Sequence, residues 1–179
     1  IALQTGELFQ TTELTPNGES PQFSTDGRYI AYETGALPAR TTRLLTTANP
    51  RTPLADIKGF RGVFSRDGSR FAYLKIVSTP EIQRAAEGLD AGPANQRTQR
   101  VNALTTLIAD AAPLVVRDMA TGRETELNTA GFSKQTLAFV PAGVLFAGSA
   151  GEADGQIYLA SPANAPEALT RGDGDKTLG

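Results

Sequence analysis

An all-β architecture of short four-stranded units, set side by side and interrupted once by helices, is what this sequence predicts. Three features support the prediction. A motif of eleven residues recurs, strand-like runs alternate with turn residues at regular spacing, and one stretch switches to helical periodicity. The chain has 179 residues, of which 40% are apolar (AVILMFWYC) and 18 are glycine, which suits one domain with a core and many tight turns.

The motif is the strongest of the three. Gln22-Phe23-Ser24-Thr25-Asp26-Gly27-Arg28-Tyr29-Ile30-Ala31-Tyr32 aligns without gaps on Val63-Phe64-Ser65-Arg66-Asp67-Gly68-Ser69-Arg70-Phe71-Ala72-Tyr73, at an offset of 64 − 23 = 41. Phe, Ser, Asp, Gly, Ala and Tyr recur in order. Phe-Ser closes a short apolar strand. Asp-Gly then favours a tight turn, because Gly tolerates φ > 0 and the Asp carboxylate accepts from the backbone N–H two residues on. Tyr29-Ile30-Ala31-Tyr32 and Arg70-Phe71-Ala72-Tyr73 begin a second strand of aromatic and β-branched character. Ser24, Asp26, Ser65 and Asp67 are therefore assigned to turn chemistry, and Tyr29, Tyr32, Phe71 and Tyr73 to strand packing.

Each hairpin is followed by two more strand-like runs. After the second come Leu114–Met119, a turn at Ala120-Thr121-Gly122, and Arg123–Leu127; after the first come Thr42–Thr47, a turn at Asn49-Pro50, and Pro53–Ile57. A degenerate third copy spans roughly 132–170: Leu137–Val140, a Pro141-Ala142-Gly143 turn, Val144–Ala147, Gln156–Ala160 and Glu167–Thr170. Thr12–Thr15 reads as the last strand of a preceding unit. Four short strands per unit of about 40 residues is the spacing of a β-propeller blade. The expected fold is thus a partial β-propeller of about three to four blades, a single domain over residues 1–179.

The interruption covers residues 76–112, between the second and third strands of the second blade. Thr79-Pro80-Glu81 is a helix start, with a hydroxyl N-cap, Pro at N1 and an acid in the first turn. Ile82, Ala85, Ala86 and Leu89 follow at helical spacing, and Gly88 and Gly92-Pro93 end the run. A second helix is expected from about Asn95 to Asp110, with Val101, Leu104, Leu107 and Ile108 on one side. Two roles are open for this pair: covering a flank of the propeller, or docking a partner with Arg84, Arg97 and Arg100 as rim contacts. On the docking reading, deleting Pro80–Asp110 spares the blades and abolishes partner binding.

Composition excludes several function classes. Lys+Arg is 17 and Asp+Glu 19, a net charge of −2, which argues against a nucleic-acid binder. With no His and no Cys, neither a Ser-His-Asp triad, a Cys-His dyad, the usual zinc sites nor a disulfide is available from these residues. Gly172–Thr177 has Asp175 where a phosphate loop needs Gly before its Lys, and Asp173 and Asp175 lack the further oxygen ligands calcium requires. No catalytic residue, cofactor or metal site is expected. The longest apolar stretch, Leu137–Gly148, is broken by Pro141 and Gly143 and is shorter than the roughly 20 residues that span a bilayer. The start at Ile1, without a basic-then-apolar leader, reads as a mature, processed or partial chain.

The string Ser-x-Asp-Gly followed by Ile/Phe-Ala-Tyr resembles the PD40-type (WD40-like) propeller repeat of TolB-like periplasmic proteins and of the N-terminal propellers of prolyl-oligopeptidase-like (S9) serine peptidases. The resemblance runs through Phe23–Tyr32 and Phe64–Tyr73 and, more loosely, Val115–Leu127. A helical, Arg-containing insert leading into Val115–Gly122 is similar to some bacterial S9 propellers. The resemblance implies either a non-catalytic interaction scaffold, an accessory subunit of an exported or membrane-associated assembly, or a propeller gating a separate hydrolase domain. The strained elbow of such a hydrolase, Gly-x-Ser-x-Gly, is absent from this sequence; Gly148-Ser149-Ala150-Gly151 has the wrong spacing, so no catalytic residue carries over. A propeller-type small-molecule or metal enzyme is a third reading, without a ligand cluster to support it. Apart from the insertion, about 140 residues make about three and a half blades, whereas closed propellers have four to eight. An open arc leaves strand edges unpaired. The expected partner is therefore another protein chain or the remainder of a longer one, in a periplasmic or otherwise exported setting, with no nucleic acid.

Overall fold

The computed structural model describes residues 3–4, 7–8, 17–151 and 154–178. A short pair, β1 (Leu3–Gln4) and β2 (Glu7–Leu8), precedes three antiparallel four-stranded sheets. The first contains β3 (Glu19–Phe23), β4 (Tyr29–Thr34), β5 (Thr41–Thr46) and β6 (Asn49–Ile57); the second β7 (Gly59–Phe64), β8 (Arg70–Lys75), β9 (Leu114–Asp118) and β10 (Glu124–Leu127). The third contains β11 (Thr136–Val140), β12 (Gly143–Gly148), β13 (Gln156–Ala160) and β14 (Glu167–Ala168). Each sheet is an up-and-down meander with its strands in chain order. That is the blade of a propeller, and the fold is all-β with partial propeller character. The expected strand at Thr12–Thr15 lies outside the described residues.

The two repeated corners are superposable in their chemistry. Ser24 Oγ donates to Asp26 Oδ1 (2.7 Å) and accepts from the Tyr29 N–H (2.9 Å), while the Arg28 N–H donates to Asp26 Oδ1 (3.0 Å). In the second copy Ser65 Oγ donates to Asp67 Oδ1 (2.6 Å) and accepts from the Arg70 N–H (2.9 Å), and the Ser69 N–H donates to Asp67 Oδ1 (3.1 Å). The Ser24 hydroxyl and the Arg28 N–H hold the Asp26 carboxyl down at about 2, and the equivalent donors around Asp67, led by Ser65, depress it as well. Gly68, at φ 67°, lies against the Asp26 carboxylate, so the two corners are neighbours, as side-by-side blades require.

One boundary differs from expectation. The β5–β6 turn falls at Thr47-Ala48, not at Asn49-Pro50, because Asn49 already pairs with Thr46 and its N–H donates to Thr46 Oγ1 (3.1 Å). Pro50 and Pro53 are tolerated there since β6 is an edge strand, whose outer N–H groups need no ladder partner.

Between blades one and two lies a core of Ala31, Leu44 and Ile57 against Phe64, Phe71 and Tyr73. Phe64 and Phe71 tilt against each other at 4.8 Å between ring centroids, and Tyr29 of blade one stacks on Phe64 at 6.3 Å. Gly62 has no side chain because a Cβ there would sit 2.0 Å from the Phe71 ring.

The insertion forms α1 (Pro80–Glu87) and α2 (Arg97–Ala111), joined through two single-turn 3₁₀ segments. Thr79 Oγ1 accepts from the Ile82 N–H at 3.2 Å, the capping bond its sequence predicts. Ile82, Leu104 and Ile108 belong to the same buried cluster as Phe60, Leu74 and Leu114 of blade two and Leu137, Val144 and Phe146 of blade three. The apolar stripes of the helices therefore cover the propeller flank. The expectation that Pro80–Asp110 can be deleted without harm to the blades needs correction. Its removal takes Ile82, Leu104 and Ile108 out of the cluster they share with the blades, and full burial of each side chain of this size is worth about 1.5–3 kcal/mol.

Candidate functional site

The inner strands of blades one and two share a regularity beyond the motif. Ser20 and Arg61 are one repeat apart (61 − 20 = 41), and both have positive φ, 50° and 54°. Both sit at a register shift between the first and second strands of their blade, Glu19/Gln22 and Phe60/Val63. Non-glycine residues in this region cost on the order of 1 kcal/mol each and mark places where the surroundings enforce the backbone.

At the second bulge the enforcing group is Glu33. Its Oε1 accepts from the Arg61 backbone N–H at 2.6 Å and its Oε2 from Arg40 Nη1 at 3.1 Å. Arg40 also donates to Glu19 Oε2 (2.7 Å) and to the Gly35 carbonyl (3.1 Å). Glu33 is only 6% exposed and stands where the repeat places the apolar Leu74 (74 − 33 = 41). A carboxylate is stable in that seam because a guanidinium and a backbone N–H satisfy both its oxygens.

The polar seam continues into blade three. Arg61 Nη1 donates to the Lys134 carbonyl at 2.5 Å, and the Arg61 guanidinium lies 5.4 Å from the Phe60 ring centroid. Lys134, just before β11, is 1% exposed, and its ammonium donates to the carbonyls of Phe132, Thr129 (3.3 Å) and Asp110 (3.5 Å). Burial pushes its pKa down to about 8, against a smaller opposing pull from the Asp110 charge.

Lys134 gives the fold a pH signature. From about pH 8 upward the folded chain releases the Lys134 proton while the unfolded chain, with an ordinary lysine near 10.5, still holds it. The unfolded state then binds more protons, so stability rises with pH. Urea midpoints are expected to increase between about pH 7.5 and 9.5 by more in the parent chain than in Lys134→Met, which has no such proton. Parallel pH profiles for the two would show that the ammonium is solvated.

Two clefts open on this end of the arc. One, of about 500 Å³, lies between blades one and two and the insertion, and is lined by Ser20, Gln22, Glu33, Arg40, Phe60, Arg61 and Arg97 together with Leu37, Leu89, Val101 and Leu104. The other, of about 450 Å³, is lined by Asp110, Ser133, Lys134 and Ser149. Arg61 and Thr105 stand on the wall between them.

The three arginines singled out in the sequence are separated by the fold. Arg97 lines the larger cleft and makes one exposed ion pair, Nε to Asp90 Oδ1 at 3.1 Å. Arg84 is exposed on α1 and pairs with Glu81 at 3.2 Å, away from both clefts. Arg100 clamps the connection between the helices, donating to the carbonyls of Leu89 (3.0 Å) and Pro93 (3.3 Å). Sequence reasoning missed Glu33, Arg40, Arg61 and Lys134. The one signal available was Glu33 itself, an acid at a repeat position that is leucine in the next copy. Among the described residues no three acidic, His or Cys side chains converge to hold a metal ion, and no helix is long and apolar enough to cross a membrane.

No family model and no curated protein matches the chain in sequence. In three dimensions it is similar to TolB from Acinetobacter baumannii, with a TM-score of 0.53 and 17% identity, over 86% of this chain and 32% of that one. It is also similar to a structure from work on two prolyl endopeptidases, with a TM-score of 0.54 and 13% identity, over 88% of this chain and 22% of that one. The chain thus spans about a third or less of the length of these proteins, and what it has in common with them is the propeller fold.

Proposed function

We propose that this chain is a non-catalytic β-propeller interaction module that docks onto protein through the free face of its third blade. One observation underlies the reading: the second-strand position that is buried in blades one and two, Ala31 and Ala72, is the half-exposed Leu145 in blade three. The row Ala31–Leu44 in blade one is buried against blade two, and Ala72 in blade two is buried beneath blade three. The matching row in blade three, Ala138, Leu145 and Leu159, is half-exposed, with Ile157 beside it. The occupant that fits such a face is another four-stranded sheet, from a partner subunit or from the remainder of a longer chain. The short spans covered in the two similar structures favour it.

Apart from that face, Arg84 and Arg97 on the insertion are proposed as a second, separate set of protein contacts, and Arg100 holds the interhelical connection that presents them. An exported, periplasmic setting accords with the likeness to TolB. A second reading is the propeller portion of a prolyl-oligopeptidase-like peptidase, gating a hydrolase domain outside this sequence; the likeness to a prolyl endopeptidase favours it.

Sedimentation tests the docking face. The parent chain is expected to self-associate with rising concentration, because the apolar face has no cover. Leu145→Lys/Leu159→Lys is expected to be monomeric with its unfolding midpoint within about 1 kcal/mol of the parent, since both positions are half-exposed. A monodisperse parent chain with a sharp cooperative melt would sink the proposal.

A further inference from the structure

The seam between blades two and three carries charge that the seam between blades one and two does not. The first seam has Tyr29, whose ring stacks on Phe64 at 6.3 Å. One repeat later (70 − 29 = 41) blade two has Arg70, whose guanidinium lies over the Phe139 ring of blade three, 5.2 Å from its centroid. Arg70 stands opposite Asp118 on β9, and the Asp118 N–H donates to the Arg123 carbonyl at the start of β10 (2.9 Å). Directly opposed residues share a face of the sheet, so Arg70, Asp118 and Arg123 form a row across three strands. Ala72, two residues along, is on the same face and is buried beneath blade three. Two strand spacings separate the two arginines, about 10 Å between their anchoring backbones.

The acid between them is not their partner. Asp118 Oδ1 accepts from the N–H groups of Ala120 (3.1 Å) and Thr121 (2.7 Å) and from the Thr121 hydroxyl (2.7 Å), which turns the carboxylate onto its own loop. Arg70, Asp118 and Arg123 line a cleft of about 290 Å³. Arg70 and Phe139 also line a second cleft, of about 600 Å³, together with Arg66. The acid there, Asp67, is committed to Ser65 and Ser69. Among the described residues, no carboxylate or carbonyl meets the guanidinium groups of Arg66, Arg70 and Arg123, whereas Arg28, Arg43 and Arg117 each have a carboxylate. All three unpaired arginines are exposed.

We propose that this groove binds an acidic segment of a protein partner, laid in extended form so that successive carboxylates meet Arg123, Arg70 and Arg66. Arginine is suited to this because its planar fork matches a carboxylate. A row of cations two strand spacings long favours a ligand with several spaced charges over a single ion. In an extended chain alternate side chains fall on one side, about 7 Å apart, within reach of guanidinium groups on flexible stems. Nucleic acid also has spaced charges, but the chain as a whole is net negative at −2 and the groove has a single ring, Phe139, already covered by Arg70. The groove goes beyond the docking face proposed above and is distinct from it: Phe139 points toward blade two, and its neighbour Ala138 belongs to the opposite face of blade three.

Titration of the chain with the acetylated, amidated peptide Ser-Glu-Ser-Glu-Ser-Glu-Ser tests the proposal. The peptide is expected to bind saturably at low salt and to weaken as salt rises, since these contacts face solvent. Its Gln counterpart, inorganic phosphate and a decathymidylate are each expected to bind at least about tenfold more weakly. Arg123→Gln is expected to weaken the Glu peptide about tenfold with the melting temperature held, because the side chain is exposed and bonds to nothing in the fold. Arg51→Gln, the same change of charge at an exposed position of β6 outside the groove, is expected to leave the affinity within about twofold. Equal affinity for the Glu and Gln peptides, phosphate or the oligonucleotide binding as tightly as the Glu peptide, equal losses in the two arginine variants, or no saturable binding would each overturn the proposal. None of these results alters self-association through the third blade, so the two proposals fail separately.

Discussion

Phe64→Ala is expected to destabilise the chain by about 3–4 kcal/mol, whereas Phe23→Ala, one repeat earlier, is expected to change stability by less than about 1 kcal/mol. The two residues occupy the same corner of the same motif, and their local sequence is nearly identical. Phe64 is 9% exposed and packs on Tyr29 of blade one and Phe71 of its own sheet. Phe23 is 68% exposed. Truncating Phe64 removes the six ring carbons and their buried contacts and opens a void beside Phe71, for which a rigid aromatic cluster collapses poorly. Truncating Phe23 removes surface that water already reaches. Urea denaturation of the two variants measures the difference directly. Equal losses would mean that Phe23 is packed in solution. The same Phe23 variant, measured in an assembly that supplies a preceding blade, is expected to become as costly as Phe64→Ala.

Glu33→Ala is the second large effect, about 2–4 kcal/mol, since it strands the Arg61 backbone N–H inside the seam and leaves Arg40 with a half-buried charge. Glu33→Gln keeps an acceptor for the N–H and loses only the ionic bond to Arg40, so about 1–2 kcal/mol is expected. Glu33→Leu restores the residue type that the next repeat has at this point, and still leaves the N–H orphaned. Its loss is expected to lie between the other two. A double-mutant cycle of Glu33→Ala with Arg40→Ala is expected to show a coupling of about 1–3 kcal/mol. Independent, additive losses would mean that the 3.1 Å ion pair contributes nothing to the fold.

Much of the fold could be read from the residues in order. The Asp-Gly corners are closed by bonds spanning two to five residues: Ser24 to Asp26, Asp26 to Arg28, Ser24 to Tyr29. The Thr79 cap spans three. Interactions this short are written in adjacent residue types, so their positions follow from the string alone. The strand count of the second and third blades follows too, since alternation and turn residues are local. The boundary at Thr47-Ala48 was missed because proline on an edge strand breaks no ladder bond, and nothing in the sequence marks β6 as an edge.

The amino-acid order thus settled the motif corners, the meander of each blade and the caps of the insertion, because short-range geometry and side-chain chemistry govern all three. Only the tertiary structure decided which of two identical corners is buried, that the helices join the blade core, and that Glu33, Arg40, Arg61 and Lys134 form one polar seam. The bonds that tie this seam across blades lie far along the chain: Arg61 reaches 73 residues forward to a carbonyl, and Lys134 reaches 24 residues back to another. Such bonds depend on how sheets stack against one another, a packing free energy distributed over the whole core that no window of the sequence contains.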